Sequence, residues 1–78
     1  MTTEALPGYR GKLRQILMDA DAKVGDIVNI HASGHVYEGS LMPRVESADD
    51  WHLVLKQRSG YNVGIKLTGD LKVIKIGE

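Results

Sequence analysis

Three histidines are the first residues in this sequence that could do chemistry, because imidazole nitrogens serve as metal ligands and proton carriers. They lie at positions 31, 35 and 52, and His31 and His35 flank the pair Ser33-Gly34 closely enough to be cross-strand neighbours in a hairpin. A zinc site would need further ligands in fixed geometry, and the chain contains no cysteine. We therefore favour structural or solvent-edge roles for the histidines over a metal site.

Carboxylates and hydroxyls are the next candidate groups. Glu46, Asp49 and Asp50 lie close together, but their spacing lacks the alternating oxygen ligands and the central glycine of a calcium loop. None of the hydroxyls lies in a strand-to-helix elbow or a glycine-rich cradle, where a nucleophile is activated. The hydroxyl residues considered are Thr2, Thr3, Ser33, Ser40, Ser47, Ser59 and Thr68. We predict no catalytic site.

Basic side chains could instead bind RNA phosphates. Lys56, Arg58 and Lys66 lie on predicted neighbouring strands, together with Lys72 and Lys75, and could gather on one face of a small barrel. The first three are our candidate RNA-facing residues. Ten basic and ten acidic residues cancel, however, and a single tryptophan is the only aromatic predicted to be exposed for base stacking. We therefore favour the alternative to RNA binding, in which these basic side chains only keep the protein soluble.

A protein partner is the other surface hypothesis. Met42, Pro43, Arg44 and Trp51 are the candidate partner-facing residues, because Trp is enriched at interfaces and Pro43 ends a strand next to a polar connection. Trp51 could equally cap the core of a barrel, and we favour the cap.

Length and composition limit what can position these groups. A chain of 78 residues supports one core, so we expect one domain and, in isolation, a monomer. The absence of cysteine excludes a disulfide framework and favours a cytoplasmic location. No apolar run approaches the roughly 20 residues that cross a bilayer, and the N-terminus lacks a signal pattern. We expect no membrane contact.

The order of elements follows from the hydrophobic period. Residues 1–8 are predicted to be disordered, with Pro7-Gly8 as the boundary of a domain over 9–78. An amphipathic helix is predicted over about 9–22, because apolar residues recur at the spacing of one helical face. These residues are Leu13, Ile16, Leu17 and Ala20.

Five short strands are predicted over about 25–76, with two-residue hairpin turns at Ser33-Gly34 and Ser59-Gly60. The clearest alternation places one set of side chains on one face: Tyr61, Val63, Ile65 and Leu67. Glycines 39 and 64 permit the bends that a curling sheet needs, and Pro43 then takes the chain out of the sheet. The predicted fold is mainly β, a small closed five-stranded antiparallel SH3-like barrel with one N-terminal amphipathic helix.

Five segments taken together resemble a known family. They are YRGKLRQIL, VGDIVNI, VYEGSLMPR, DDWHLVLK and SGYNVGIKL. In this order and spacing, from about Tyr9 to Ile76, they are similar to the N-terminal domain of the D subunit of archaeal glutamyl-tRNA(Gln) amidotransferases. The stretch YEGxLMPR followed by SGYNxGI is the specific part of the resemblance.

The resemblance implies a place in translation. In that family, the D subunit has an asparaginase-like body that releases ammonia through a threonine nucleophile, and the E subunit uses ATP and Mg to activate the glutamate on misacylated tRNA(Gln). The domain resembled here is a small non-catalytic barrel that precedes the body and serves subunit assembly, with tRNA(Gln) contact indirect if present. The partners implied are the E subunit and the downstream asparaginase-like domain.

One departure from the family pattern limits what the resemblance implies. The TGGT segment that carries the nucleophile has no counterpart before Glu78, so we transfer no catalytic residue and expect no cofactor in this chain. The chain is either a fragment of a longer subunit or a free-standing relative of its first domain. An autonomous RNA-binding barrel and a protein-interaction barrel outside translation remain the alternatives.

Overall fold

The computed structural model describes residues 6–44 and 49–77, which form one helix and one sheet. The elements are α1 (Gly11–Asp19), β1 (Ile27–Ala32), β2 (His35–Leu41), β3 (His52–Lys56), β4 (Asn62–Lys66) and β5 (Lys72–Gly77). The mainly β architecture with five antiparallel strands and one short helix is therefore confirmed. Among the helices of these described ranges, none is long and apolar enough to cross a membrane.

Helix α1 is shorter than predicted, and its end has a clear physical cause. Asp21 has φ +58°, a left-handed conformation that stops the helix. The Ala22 amide then donates to Leu17 O at 2.9 Å, and the Asp21 amide donates to Met18 O at 3.0 Å. This is a Schellman motif, and it directs the buried side chain of Ala22 toward the buried Leu17.

The first hairpin has the predicted turn, whereas the second does not. Ser33 and Gly34 both have positive φ, at +51° and +80°, as a two-residue type I′ turn requires. In the second hairpin the Gly60 amide donates to Gln57 O and the Gln57 amide donates to Tyr61 O, each at 2.8 Å. These hydrogen bonds close a loop of more than two residues, so the predicted two-residue turn is wrong. Gly60 has φ +94°, a left-handed conformation, just before the strand resumes.

The sheet is open. Its strand order is β4-β3-β2-β1-β5, so β4 and β5 are its two edges and the predicted barrel is not closed. The pairing is shortest between β2 and β3, which share only two register positions, against six for β1 and β2. Antiparallel alternation predicts which strands form but carries no information on whether the two edge strands meet.

Gly39 and Gly64 have different roles, although the sequence predicted a bend at both. A Cβ atom on Gly39 would lie 2.6 Å from Lys56 O and 3.3 Å from Leu55 Cβ, so this position needs glycine for close approach of β2 and β3. A Cβ atom on Gly64 would meet nothing within 4 Å. The close approach of neighbouring chain that such a bend was expected to need is thus present at Gly39 and absent at Gly64.

The core lies between α1 and one face of the sheet. Its fully buried large side chains are Leu13, Leu17, Val28, Ile30, Leu41, Leu53 and Leu55. Tyr61 was predicted on the inner face of β4 but is 75% exposed, because it belongs to the hairpin loop and β4 begins at Asn62.

The segment before the helix packs into the core. Leu6 and Tyr9 are only 2% and 3% exposed, and the Tyr9 amide donates to Leu6 O at 3.1 Å. Residues 6–8, which the sequence assigned to a disordered N-terminus, are therefore part of the packed domain. Residues 1–5 lie outside the described residues, and so do positions 45–48 with Glu46 and Ser47.

Candidate functional site

The most connected polar site joins the segment before α1 to the chain that leaves β2. Tyr9 donates its hydroxyl hydrogen to Met42 O at 2.7 Å, and the hydroxyl oxygen accepts a hydrogen bond from the Val54 amide at 3.1 Å. Burial raises the pKa of the Tyr9 phenol above its usual value, although the hydrogen bond from Val54 and the charge of Arg44 act in the opposite direction. The phenol is therefore a structural bridge in its neutral form.

Arg44 lies at the centre of this site and faces the protein rather than a partner. Its amide donates to Pro7 O at 3.0 Å, and its guanidinium donates to the His52 carbonyl oxygen. The side chain is 14% exposed and lies 4.0 Å from an Asp49 carboxylate oxygen. A largely buried guanidinium is retained where carbonyl and carboxylate acceptors surround it. Arg44 thus holds the N-terminal segment against the start of β3.

Gly8 makes the close approach of the N-terminal segment to Arg44 feasible. It has φ +84°, and a Cβ atom there would lie 1.7 Å from Arg44 O. Any side chain at this position would push the two segments apart.

Asp49 organises the start of β3. It accepts hydrogen bonds from the Trp51 amide at 3.0 Å and from His52 Nδ1 at 3.0 Å. Partial burial alone would raise the pKa of Asp49, but these two hydrogen bonds and the nearby charges of His52 and Arg44 outweigh it, so the pKa lies below its ordinary value. Asp49 and His52 thereby fix the backbone of the loop before β3.

Trp51 and Pro43 are the exposed members of the predicted partner-facing set. Trp51 keeps 52% of its surface exposed, so it does not cap the core as the sequence favoured. Its carbonyl oxygen accepts a hydrogen bond from the Leu67 amide at 2.6 Å, which fixes its backbone beside the end of β4. Beside it, Arg10 Nε lies 2.8 Å from Asp50 Oδ1, with both side chains about half exposed. Such an exposed pair contributes little stability.

The candidate RNA-facing residues do not converge on one patch. Lys56 and Arg58 line one groove, the Gly39 groove, of about 390 Å³. Its other lining residues are Ile27, Glu38, Gly39, Ser40 and Gln57. Lys66 pairs in register with His52, at the opposite end of the β3–β4 hairpin from Lys56. Within the described ranges, none of the three makes an ion pair.

Thr68 and Asp70 also have structural positions. Thr68 Oγ1 donates to Asp70 Oδ1 at 2.5 Å, and the Ser33 amide donates to Asp70 Oδ2 at 3.1 Å. These hydrogen bonds, first that from Thr68, lower the pKa of Asp70 and fasten the β1–β2 turn to the chain before β5. Across residues 6–44 and 49–77, no group of three or more histidines and carboxylates is arranged to hold a metal ion.

Sequence reasoning missed the contact between the N-terminal segment and Arg44. Two signals were present: Leu6 and Tyr9 are apolar residues that bracket Pro7-Gly8, and an arginine directly follows the strand-ending proline. Neither pattern alone indicates that an arginine will be buried, because arginine is mostly exposed in proteins.

The fold and these contacts define a class of protein: a small open antiparallel β module whose polar clusters hold the module together. Residues 22–76 match the family described as GatD N-terminal domain. The chain belongs to this family, which confirms the resemblance inferred from its motifs.

Curated relatives agree with the family match, and each is the D subunit of a glutamyl-tRNA(Gln) amidotransferase. The chain is 42% identical over 74 residues to that of Methanopyrus kandleri, covering 94% of this chain and 16% of the relative. It is 40% identical over 60 residues to that of Methanothermobacter thermautotrophicus and 44% identical over 61 residues to that of Thermofilum pendens. Each of these two alignments covers 77% of this chain and 14% of the relative. The chain thus spans about one seventh of the length of these relatives.

Proposed function

We propose that this chain is the non-catalytic N-terminal module of the ammonia-releasing subunit of a tRNA-dependent amidotransferase that converts Glu-tRNA(Gln) to Gln-tRNA(Gln). Its task is to fit that subunit into the assembly. The observation that carries the proposal is the family match over residues 22–76, which covers four of the five strands entirely and nearly all of the last.

The use of the polar side chains supports a structural task. The contacts of Arg44 and Asp49 described above end on the chain's own backbone, on the His52 side chain or on each other. Catalytic groups need a reacting atom within hydrogen-bond reach, whereas these groups are already occupied. A rigid module that presents a surface requires only that its own polar groups be satisfied.

The relatives' names as subunits support a complex with other amidotransferase subunits. We assign the E subunit and a downstream asparaginase-like domain as the proteins that the module contacts, with ATP and Mg bound by the E subunit and with any contact to tRNA(Gln) indirect. Met42, Pro43 and Trp51 form the proposed partner-facing edge, of which Pro43 and Trp51 are exposed. The proposed location is the cytoplasm. The name SH3-like is likewise a proposal, supported by the return of β5 to pair with β1.

The test uses the relative from Methanopyrus kandleri, because 94% of this chain aligns with it. Three forms are compared: the intact relative, one lacking the region that matches this chain, and one in which this chain replaces that region. Removal should lower formation of Gln-tRNA(Gln) by about tenfold or more, a loss of about 1.4 kcal/mol in assembly, while glutamine hydrolysis by the relative alone is preserved. Replacement should restore the first activity.

Two results would contradict the proposal. One is a replacement that folds and hydrolyses glutamine but does not restore Gln-tRNA(Gln) formation. The other is hydrolysis of glutamine or asparagine by the 78-residue chain itself at a rate that a single substitution removes.

A further inference from the structure

The outer face of the sheet carries an apolar patch on its last strand. Ile74 and Ile76 are 41% and 52% exposed, and Ile27, on the neighbouring strand β1, is partly exposed beside them. We call Ile27, Ile74 and Ile76 the isoleucine patch. The patch lies on the face opposite to the core, since Val28 and Val73, which alternate with its members, are buried.

The side-chain amide of Asn29, on the same face, has an unsatisfied hydrogen-bond acceptor. Asn29 pairs in register with Ile74 on one side and with Glu38 on the other, so its side chain lies next to the patch. Its Oδ1 atom is buried and has no hydrogen-bond partner among the described residues. A buried acceptor without a donor costs about 1–3 kcal/mol, and such atoms are rare in complete structures.

The patch continues into the Gly39 groove, because Ile27 belongs to both. The combined surface has apolar residues at one end and a rim of Ser40, Glu38 and Lys56 at the other. Apolar residues bordered by polar residues are the composition of a protein docking surface.

The edge of β5 itself is not suited to strand addition. The register between β1 and β5 shifts between Ile27 and Val28, so Ile76 is the extra residue of a bulge on β5. A bulge disrupts the row of free amides that an added strand would need. A partner should therefore pack on the face of β5 rather than extend its edge.

We propose that the isoleucine patch and the adjoining Gly39 groove dock the body of the longer polypeptide, the part that follows this domain in its relatives. This inference rests on the proposed function. In the three relatives the aligned region is 14–16% of the length, and the family description places it at the N-terminus. The patch lies on β5, the last strand, so in a protein of the relatives' length the next segment would start beside it.

The small size of the patch favours an intramolecular occupant over a second copy. A stable dimer buries about 800 Å² on each partner, which is far more than three partly covered isoleucine side chains supply. Covalent linkage makes docking intramolecular at an effective concentration of about millimolar, so a small apolar contact is sufficient.

Thiol labelling can test this contact because the chain has no cysteine. Ile74→Cys probes the patch, and Met18→Cys, on the outer side of α1 and 54% exposed, is the matched control. Each variant is made in the 78-residue chain, whose core is formed by its own residues, and in the Methanopyrus kandleri relative that carries this chain in place of its matching region. Alkylation by N-ethylmaleimide is followed by peptide mass spectrometry.

Labelling at position 74 should be slowed by about tenfold or more in the long protein relative to the isolated chain, with labelling at position 18 within about twofold. Adding Ile76→Asp should restore rapid labelling at position 74. Equal rates at position 74 in the two proteins would overturn the inference. Slowing in the isolated chain that grows with its concentration would overturn it too, because the occupant would then be a second copy.

Formation of Gln-tRNA(Gln) by the same long protein tests the proposed function independently of the labelling. An active protein in which position 74 is labelled freely contradicts the docking contact but supports the proposed function. An inactive protein in which position 74 is protected from labelling supports the docking contact and contradicts the proposed function.

Discussion

The hydroxyl of Tyr9 donates a hydrogen bond to the carbonyl oxygen of Met42 at 2.7 Å. The hydroxyl oxygen also accepts the Val54 amide, so one side chain from outside the sheet connects the end of β2 to the middle of β3. These two strands share only two register positions. The phenol therefore supplies cross-strand bonding at the place where the ladder itself is shortest.

Tyr9→Phe should destabilise the domain while leaving its packing intact. The change keeps the buried ring but removes the acceptor of the Val54 amide and the donor to Met42, which costs about 1–3 kcal/mol. The measurement is the free energy of unfolding from urea titration. Tyr61→Phe is the control, because Tyr61 is 75% exposed and its hydroxyl stays in water. Equal unfolding midpoints for the two variants would show that the bridge contributes nothing.

The parts of the fold that could be predicted from the sequence are those set by local rules. The hairpin at Ser33-Gly34 was predicted correctly because a type I′ turn needs two residues that tolerate positive φ. The loop at Gly60 was predicted with the wrong length, since one glycine in a left-handed conformation fits both a two-residue turn and a longer one. Closure of the sheet could not be read from alternation, which is the same for an edge strand and a central strand.

The candidate site was less predictable because it depends on contacts between distant segments. Arg44 contacts Pro7 and His52, which are 37 positions before it and 8 after it. An arginine after a strand is equally compatible with an exposed role, and only the folded chain brings the carbonyl oxygens of Pro7 and His52 to it. The sequence placed Arg44 among the candidate partner-facing residues, whereas its side chain is only 14% exposed and is turned inward.

Gly39→Ala should destabilise the domain, and Gly64→Ala should not. The Cβ atom added at position 39 would lie 2.6 Å from the Lys56 carbonyl oxygen, which requires backbone movement between β2 and β3. Overpacking of this kind costs about 1–3 kcal/mol. Position 64 has open space, so alanine there should be neutral or stabilise by up to about 1 kcal/mol through the unfolded state. The measurement is the free energy of unfolding of both variants in urea. A larger loss of stability for Gly64→Ala than for Gly39→Ala would contradict the close approach of β2 and β3 at Gly39.

Asp49→Asn should flatten the loss of stability in acid. The pKa of Asp49 is lowered from its ordinary value of 3.8, so the folded protein holds the carboxylate proton less tightly than the unfolded chain does. Its contribution is fully present above the ordinary value and is lost as the pH falls through the lower folded value. Urea midpoints measured from about pH 6 to pH 2 should therefore decline less steeply for Asp49→Asn.

The pKa of Asp70 is lowered by different contacts, first the hydrogen bond from Thr68. Asp70→Asn should therefore also make the urea midpoint decline less steeply in acid, independently of Asp49. The double variant should show a smaller decline than either single variant. Asp19→Asn, on the exposed side of α1, controls for the loss of one negative charge. If Asp49→Asn follows the unsubstituted chain at every pH, the hydrogen bonds from Trp51 and His52 do not stabilise the folded state.

The isolated domain should bind tRNA weakly and with a shallow salt dependence. Lys56 and Lys66 lie on the same outer face, but the register separates them by four positions along β3, about 13 Å. Only Lys56 and Arg58 share a groove, and that groove also contains Glu38. About two phosphates could be neutralised there, so log K should fall against log salt concentration with a slope no steeper than about −2.

Titration of labelled tRNA at several salt concentrations measures that slope. The double substitution of Lys56→Ala and Arg58→Ala should remove most of it, and Lys66→Ala is the control on the same hairpin. A slope of about −4 or steeper would mean that four or more phosphates are contacted, which would favour an autonomous RNA-binding module over a docking module.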